Sequence, residues 1–443
     1  MHTIEQDENW VAQVYDSSPI VMTHAEQVYL YDDKGNRYID CSGQYSACCL
    51  GHMHPTLTQA VKDQLDTLVS VNIMFLTRQR AQLAERLVSL MPDNNWKVLM
   101  GVTGSDANEL ALKIAKVHGQ GGHIISFWRG FHGSTAASAA ATGKSETMQN
   151  NRYIAELLPR GFVHAPPPIC QHCDFGKTYP ECQFQCLDFL QKLILHEAKN
   201  HVAAIIIEPI MASGGVIIPP EGYLERLAAI AHEHHALLIF DEVVTGIGRT
   251  GTMFAFEQTQ VVPDMLVVGK ALTGGYIPGS AIIMKREIAE SIKEIVLHGH
   301  THTAYPLMCA AALTTLSCIE EEGLLTHVQQ VGSFMLHGLQ ELAQRFTCIG
   351  DIRGRGLLIG IDVVSDGNPD YDMSRNMTKN LLKRGVIVEL ECFPHLQMAT
   401  IVLHPPLTIT IKQAKEVIYL FEAVCEQLST CNPSKPMNRT HSK

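Results

Sequence analysis

No uninterrupted apolar run of about 18 residues occurs in this 443-residue chain, which is the length a membrane-spanning helix needs. Basic residues are scarce relative to acidic ones, with 34 Lys and Arg against 45 Asp and Glu for a formal net charge of −11. Nucleic acid and anionic membrane surfaces want clustered cations, so neither is expected as a partner. There is no disulfide framework: thirteen cysteines are spread thinly through a large chain, and an odd, dispersed set reads as free thiols in a reducing compartment. The opening MHTIEQDENW is polar and acidic, so no secretory signal is expected and a cytoplasmic location is. Repeats of 20 to 50 residues are also absent, which removes solenoids and propellers. What is present is an ordinary globular composition, 46% apolar and 18% charged, and a small-molecule substrate is the default expectation.

Short strand-like pieces in QVYLYDDKGNRYIDC, with Lys34-Gly35-Asn36 as a hairpin turn, predict a small antiparallel element near the N-terminus. Leu57, Val61, Leu65 and Leu68 then recur at helical spacing, as do Leu83, Leu87 and Leu90. Apolar strand candidates follow in WKVLMGV, HIISF, HVAAIIIEPI, ALLIFDEVV and DMLVVGK, separated by helices such as ANELALKIAKVH and YLERLAAIAHEHH. Such alternation predicts an α/β fold with a mainly parallel sheet wrapped by helices. His232, His234 and His235 fall at a predicted helix end and read as solvated or capping groups. Past residue 330, a long helix, IRGRGLLIGIDVV and a further helix-strand pair predict a second, smaller α/β unit. The expected division is 1–55 as the N-terminal part of the small domain, 56–330 as the large domain, 331–430 as its C-terminal part, and 431–443 as a disordered tail.

Two apolar strands run directly into charges, ALLIF into Asp241 and DMLVVG into Lys270. Ligands of open α/β sheets sit at the carboxyl ends of the strands. Burying lone charges there is costly without partners. An aromatic aldehyde with a ring nitrogen would supply both, bonding covalently to the lysine and taking the carboxylate at its protonated nitrogen. From these two residues alone, a structural pair or two helix-start residues is the alternative. A third strand ends in TGSDANE, where Gly104 permits close approach and the amides of Ser105 and Asp106 open a helix suited to a phosphate. Asp106 reads equally as an N-cap. At a fourth strand exit, WRGFHGST places Phe131, His132 and Gly133, and an aromatic there can stack on a flat ring or belong to the core.

The set GSDANE, FHGST, IIEPI, DEVVTGIGRTG, GKALTGGYIP and THTAYPLMCAAAL resembles the class III aminotransferases, pyridoxal 5'-phosphate enzymes of fold type I, over roughly residues 20 to 425. The resemblance implies a large domain with a mainly parallel sheet and a smaller α/β domain built from both chain ends. It implies a homodimer with active sites between subunits, an amine donor and a 2-oxo acid acceptor. Lys270 becomes the Schiff-base lysine and Asp241 the partner of the pyridine nitrogen. Gly104, Ser105 and Asp106 match the phosphate turn, and Phe131 the ring-stacking aromatic. His132 and the EP-motif Glu208 also fall among the cofactor residues. Val243 matches the residue on the opposite ring face, and Thr301 the threonine that reaches the partner subunit's phosphate.

Two departures bear on substrate. Many members of the family place an arginine three residues before Pro-Pro-Leu and a gating glutamate five after the EP-motif Glu; here these are Val402 and Ser213. Loss of both leaves no unpaired ion, so a different donor is expected, one reacting at a terminal amine, such as a diamino acid or ω-amino compound. Glu389 matches a glutamate of the diaminobutyrate aminotransferases and would bind a distal ammonium, or is a solvated strand-end charge. Val244 stands where the family has a glutamine beside the ring hydroxyl. Arg353 and Arg355 in IRGRG are the nearest spare cations and read as structural. Cys170, Cys173, Cys182 and Cys186, spaced C-x2-C-x8-C-x3-C, read as free thiols or as a four-thiolate zinc site. The same loop resembles that of fold-type-I amino-acid racemases and epimerases. Racemization is therefore the alternative activity, and a non-catalytic protein retaining the fold a second alternative.

Overall fold

The computed structural model describes residues 2–14, 17–144, 156–199, 201–295 and 299–431. Near the N-terminus, β1 (Met22–Glu26), β2 (Tyr29–Asp32) and β3 (Arg37–Asp40) pair antiparallel. Asp32 builds the predicted turn by accepting from the amides of Lys34 and Asn36 at 3.0 and 2.8 Å, while Gly35 adopts φ +80°. Helices Pro55–Leu65 and Arg78–Ser89 follow, and Leu57, Leu83 and Leu87 are fully buried. The expected apolar stripe does not persist in the first of these. Its last turn ends at Leu65, and Leu65 and Leu68 are exposed at the head of an exposed apolar segment containing Ile73, Met74, Phe75 and Leu76.

The large sheet is built from β4 (Trp96–Gly101), β5 (His123–Phe127), β6 (Phe162–Ala165), β7 (Val202–Ile207), β8 (Leu237–Asp241), β9 (Met265–Val268) and β10 (Ser280–Lys285), in spatial order β4-β10-β9-β8-β7-β5-β6. Pairing is parallel from β9 through β6, as expected. SAIIMK, absent from the predicted strands, forms β10 and inserts antiparallel between β9 and β4. Every residue of β7 and β9 is buried, the continuous apolar pattern of a sheet covered on both faces. The carboxyl ends of β4, β5, β7, β8 and β9 carry the loops that hold Ser105, Phe131, Glu208, Asp241 and Lys270. His232, in the last turn of helix Tyr223–Glu233, and His235, just past it, are exposed as expected, while the C-cap residue His234 is half-buried.

Beyond helix Leu324–Arg345, β11 (Ile349–Arg355), β12 (Leu358–Ser365), β13 (Asn368–Pro369), β14 (Val386–Ile387), β15 (Glu389–Phe393) and β16 (Met398–Leu403) complete the chain. The smaller sheet runs β11-β12-β16-β15, antiparallel throughout. β14 instead joins β3 in parallel, tying the C-terminal segment to the N-terminal one. The final helix extends to Cys431; the rest of the expected tail, 432–443, lies outside the described residues. No helix among the described residues is long and apolar enough to cross a membrane.

The β11–β12 turn is wedged between two elements. Gly356 takes φ +57° with its Cα side against the backbone of Arg249 and Thr250, and Gly332 on helix Leu324–Arg345 packs so closely that a Cβ would lie 2.2 Å from Gly356 O. The fully buried Arg249 adds bonds from Nη1 to Leu357 O at 3.1 Å and Pro405 O at 2.5 Å. Gly332→Ala is therefore expected to destabilise by about 1–3 kcal/mol, because overpacking outweighs the roughly 1 kcal/mol of helix propensity gained. A thermal unfolding midpoint unchanged or raised would contradict this packing.

Candidate active site

Asp241 ends β8 inside the protein, and its carboxylate is saturated with donors. Asn108 Nδ2 donates to Oδ2 at 2.7 Å, His132 Nδ1 lies 2.8 Å from the same oxygen, and Val243 N donates to Oδ1 at 3.0 Å. Asn108 also holds His132 O at 2.9 Å. This second contact locks the FHGST loop to helix Gly104–His118, so the orientation of Asp241 depends on three separate elements. Asn108 was missed by sequence reasoning. Its signal was the position four residues after Gly104, one turn into a helix that starts at the site.

Lys270 follows β9 and Gly269 at the start of a 3₁₀ turn, Lys270–Thr273. Its φ of +40° is unusual for a residue with a side chain, and such strain persists only where the surroundings over-determine it. Burial drives its ammonium below the ordinary lysine pKa, partly opposed by the carboxylates of Glu389, Glu208, Asp241 and Glu391. A buried lysine of lowered basicity is suited to act as nucleophile and proton carrier.

Glu208, one residue past β7, accepts from the amides of Phe131 at 3.0 Å and Ala212 at 3.1 Å. Burial raises its pKa to about 7, with His132 acting in the opposite sense and Asp241 reinforcing it. Glu208 thereby fixes the backbone of the Phe131 loop. At the helix start, Thr103 Oγ1 accepts from the Asp106 amide at 3.1 Å, and Asp106 Oδ2 accepts from Val102 N at 2.8 Å while Oδ1 contacts His300 Nε2. The Asp106 side chain thus ties the strand exit at Val102 to His300. Ser105 Oγ accepts from Ser134 N at 3.1 Å. Thr301 is exposed in the turn before helix Pro306–Glu321.

These groups fit a planar phosphorylated cofactor. Gly104 leaves room beside Val243, where a Cβ would lie 2.8 Å from Cγ1, and a Cβ on Gly133 (φ +132°) would strike Ser105 Oγ at 2.6 Å. The helix amino terminus is thereby kept open next to the Asp241–Lys270 crevice, the arrangement an anion beside a protonated ring requires.

Ser213, Val244, Glu389 and Val402 line one pocket with Lys270, so the positions that depart from the family pattern converge as expected. Three further residues were missed. Glu391 and His404 line the same pocket, and Lys144 Nζ reaches Glu391 Oε2 at 2.5 Å. Arg353 is occupied elsewhere, by Asp362 at 2.7 Å, Asp351 at 2.9 Å and the carbonyls of Gly215 and Val216, and Arg355 Nη1 donates to Gln258 at 2.7 Å. Cys170, Cys173, Cys182 and Cys186 surround one cavity as free thiols, Cys170 exposed. Among the described residues only His54, Cys318 and Glu322 bring three such ligand atoms within 4.8 Å; the four thiols are not drawn to that spacing.

The family described as "Aminotransferase class-III" matches residues 10–425. This chain belongs to the class III aminotransferases. It is therefore a pyridoxal phosphate enzyme, with the amine donors and 2-oxo acids of that family as its substrate classes. It is 34% identical to acetylornithine aminotransferase of Methanothermobacter thermautotrophicus, over 84% of this chain and 88% of the relative. Identity to leucine/methionine racemase of Thermococcus litoralis is 32%, covering 88% and 87%. Among solved structures, an (S)-enantioselective omega-transaminase from Thermomicrobium roseum superposes with a TM-score of 0.88 at 29% identity, covering 96% of this chain and 98% of that one. For this class III enzyme, borohydride reduction of the yellow holoprotein is expected to fix the cofactor on Lys270 in a single modified peptide. Label on another lysine, or a colourless protein that takes up no pyridoxal phosphate, would remove Lys270 from its role.

Proposed function

We propose that the protein is an aminotransferase that moves a terminal amine of a diamino acid or ω-amino compound to or from a 2-oxo acid such as 2-oxoglutarate or pyruvate. One observation carries this reading: the pocket beside Lys270 presents Val402, Ser213 and two glutamates, and no arginine is among its described lining residues. A carboxylate on the reacting carbon would find no bidentate guanidinium grip there. A donor whose reacting carbon is a methylene carrying no carboxylate avoids that need.

When bound, pyridoxal phosphate acts as the electron sink for the carbon–hydrogen bond that breaks. Asp241, fixed by Asn108 and His132, keeps a negative charge where the ring nitrogen is to be held protonated. Lys270 would hold the cofactor through its amine and, when free, would be the base that takes the proton from the donor carbon. Phe131 would hold one face of the ring and Val243 the other. Gly104 and Ser105 would receive the phosphate at the helix terminus.

The similarity to a racemase supports a second reading, amino-acid racemization or epimerization, because the same lysine proton chemistry serves both. The deciding comparison is kcat/KM for 2,4-diaminobutyrate, ornithine, lysine and 4-aminobutyrate against glutamate, alanine and branched α-amino acids. Terminal-amine donors are expected to lead by about tenfold or more, a difference of about 1.4 kcal/mol in transition-state binding. Reaction of α-amino acids alone, or isoleucine epimerization without any 2-oxo acid, would install the second reading.

The same reading includes a homodimer. Exposed Met74, Phe75 and Leu76 form an apolar stretch unusual for a monomer's surface, and Thr301 stands exposed where the family reaches into its partner. Sedimentation is expected to show a dimer or larger assembly; a fully active monomer would refute it.

A further inference from the structure

His54 stands at the N-cap of helix Pro55–Leu65, and its ring meets the carboxyl end of helix Pro306–Glu321. Its Nε2 lies 3.0 Å from Oε1 of Glu322, the residue that closes that helix. Cys318 sits one turn earlier, on the same helix face as Glu322. One donor atom from each of the three residues lies within 4.8 Å of the other two. Cys318 is a buried free thiol, and the Thr56 side chain hydrogen-bonds its sulfur in the sense that favours a thiolate. The His54 side chain is nine-tenths buried, and its Nδ1 is buried with no hydrogen-bond partner. Glu322 is 40% exposed, so the cluster opens to water on one side. None of the three residues lines the Lys270 pocket. An ion pair accounts for His54 Nε2 and Glu322 alone. It leaves the second ring nitrogen without use and gives no reason for a thiol packed against the pair.

We propose that His54, Cys318 and Glu322 bind a zinc ion that clips the start of helix Pro55–Leu65 to the end of helix Pro306–Glu321, with water in the fourth position. The donor set selects the metal. Imidazole nitrogen, thiolate sulfur and carboxylate oxygen together suit a borderline tetrahedral ion, whereas magnesium and calcium take oxygen shells. Charge agrees with this choice, because a thiolate and a carboxylate bring two negative charges and a divalent ion cancels both. With zinc–ligand bonds of about 2.0–2.3 Å, the donor atoms of a tetrahedral shell stand about 3.3–3.6 Å apart. The ion therefore has to draw the most distant of these atoms inward by only about 1 Å. Coordination replaces the proton on the Cys318 sulfur, and that proton leaves to solvent.

The clip would act at a junction of the fold. His54 N donates to Tyr276 Oη at 2.5 Å, and the same hydroxyl lies 3.2 Å from Thr58 Oγ1. Tyr276 belongs to the GGYIP segment that follows Lys270, so the helix start fixed by the ion is the one to which that segment is bonded. On the other side, Glu322 leads through Gly323 into helix Leu324–Arg345 and the C-terminal sheet. A metal here joins three parts of the chain that are otherwise held by packing and single hydrogen bonds.

The test uses full-length holoenzyme stripped of metal with a chelator. Zinc chloride is titrated calorimetrically, bound metal is counted by elemental analysis after dialysis, and cobalt(II) serves as the spectroscopic probe. Three variants accompany the wild type: Cys318→Val, Glu322→Gln at an exposed position, and the double variant Cys170→Ser/Cys173→Ser, which disables the other thiol cluster. Expected are one zinc per chain in the wild type and in the double variant, a zinc-dependent rise in the thermal midpoint, and, with cobalt, a thiolate charge-transfer band together with the intense visible bands of a four-coordinate ion. Cys318→Val should lose the charge-transfer band and the zinc. Glu322→Gln should keep the band while zinc affinity falls by about tenfold or more. If Cys318→Val fails to take up cofactor, the wild-type cobalt spectrum and the Glu322→Gln comparison decide. Equal zinc affinity in Glu322→Gln and wild type, zinc lost only in the Cys170→Ser/Cys173→Ser protein, cobalt bound without a thiolate band, or no zinc bound in the micromolar range overturns the proposal.

Discussion

The structure depends on holding one carboxyl side chain, Asp241, inside an apolar sheet. The cost of removing a carboxylate from water is several kcal/mol, and it is offset only by complete hydrogen bonding. Asn108, His132 and the Val243 amide provide it. Each comes from a different strand exit or helix, so satisfying one side chain ties together the loops after β4, β5 and β8. The same bonds that stabilise the charge also aim it, which is why stability and orientation for catalysis are not separable at this position.

A similar economy governs the other buried charges. Glu242, next to Asp241, is fully buried and accepts from Ala255 N at 2.6 Å and Phe256 N at 2.8 Å; burial lifts its pKa to about 7 despite these bonds. Arg249 is buried too, its pKa lowered to about 10 by desolvation, and it spends its contacts on carbonyls from the C-terminal segment. One short stretch therefore holds the candidate-site carboxylate Asp241, a loop-ordering carboxylate and an arginine bonded to Leu357 O and Pro405 O of the C-terminal segment. At the pocket, Glu389, Glu391 and His404, with Lys144 bonded behind Glu391, form a second polar cluster whose members come from β15, the residue after β16 and the segment after helix Ala136–Ala141.

The differences between expectation and structure have identifiable causes. β10 escaped prediction because SAIIMK follows the Gly-rich GGYIPG and reads as the tail of a loop; its strand character comes from hydrogen bonding to β4 and β9 on both edges. Leu65 and Leu68 fit a helical stripe by spacing alone, yet the helix ends at Leu65 and the apolar surface faces outward. Glu391 and Lys144 lie 247 residues apart, and neither belongs to a local motif. Asp106 was readable both as a phosphate-turn residue and as an N-cap; the N-cap is Thr103, and the Asp106 side chain accepts from Val102 N ahead of the helix and contacts His300.

By itself the sequence determined the alternating strands and helices, the carboxyl-end placement of Asp241 and Lys270, and the loss of the Val402 and Ser213 partners. These are local properties, set by apolar periodicity and by residues a few places apart. Tertiary structure alone decided which groups surround them: that Asn108 and His132 share Asp241, that Arg353 is consumed by Asp351 and Asp362, and that two glutamates meet a lysine and a histidine beside Lys270. The pairs at Asp241 and between Lys144 and Glu391 join side chains 109 to 247 residues apart, and those of Arg353 with Asp351 and Asp362, 2 and 9 residues away, depend on the β11–β12 pairing; no periodicity in a one-dimensional pattern encodes which side chain a buried charge will meet.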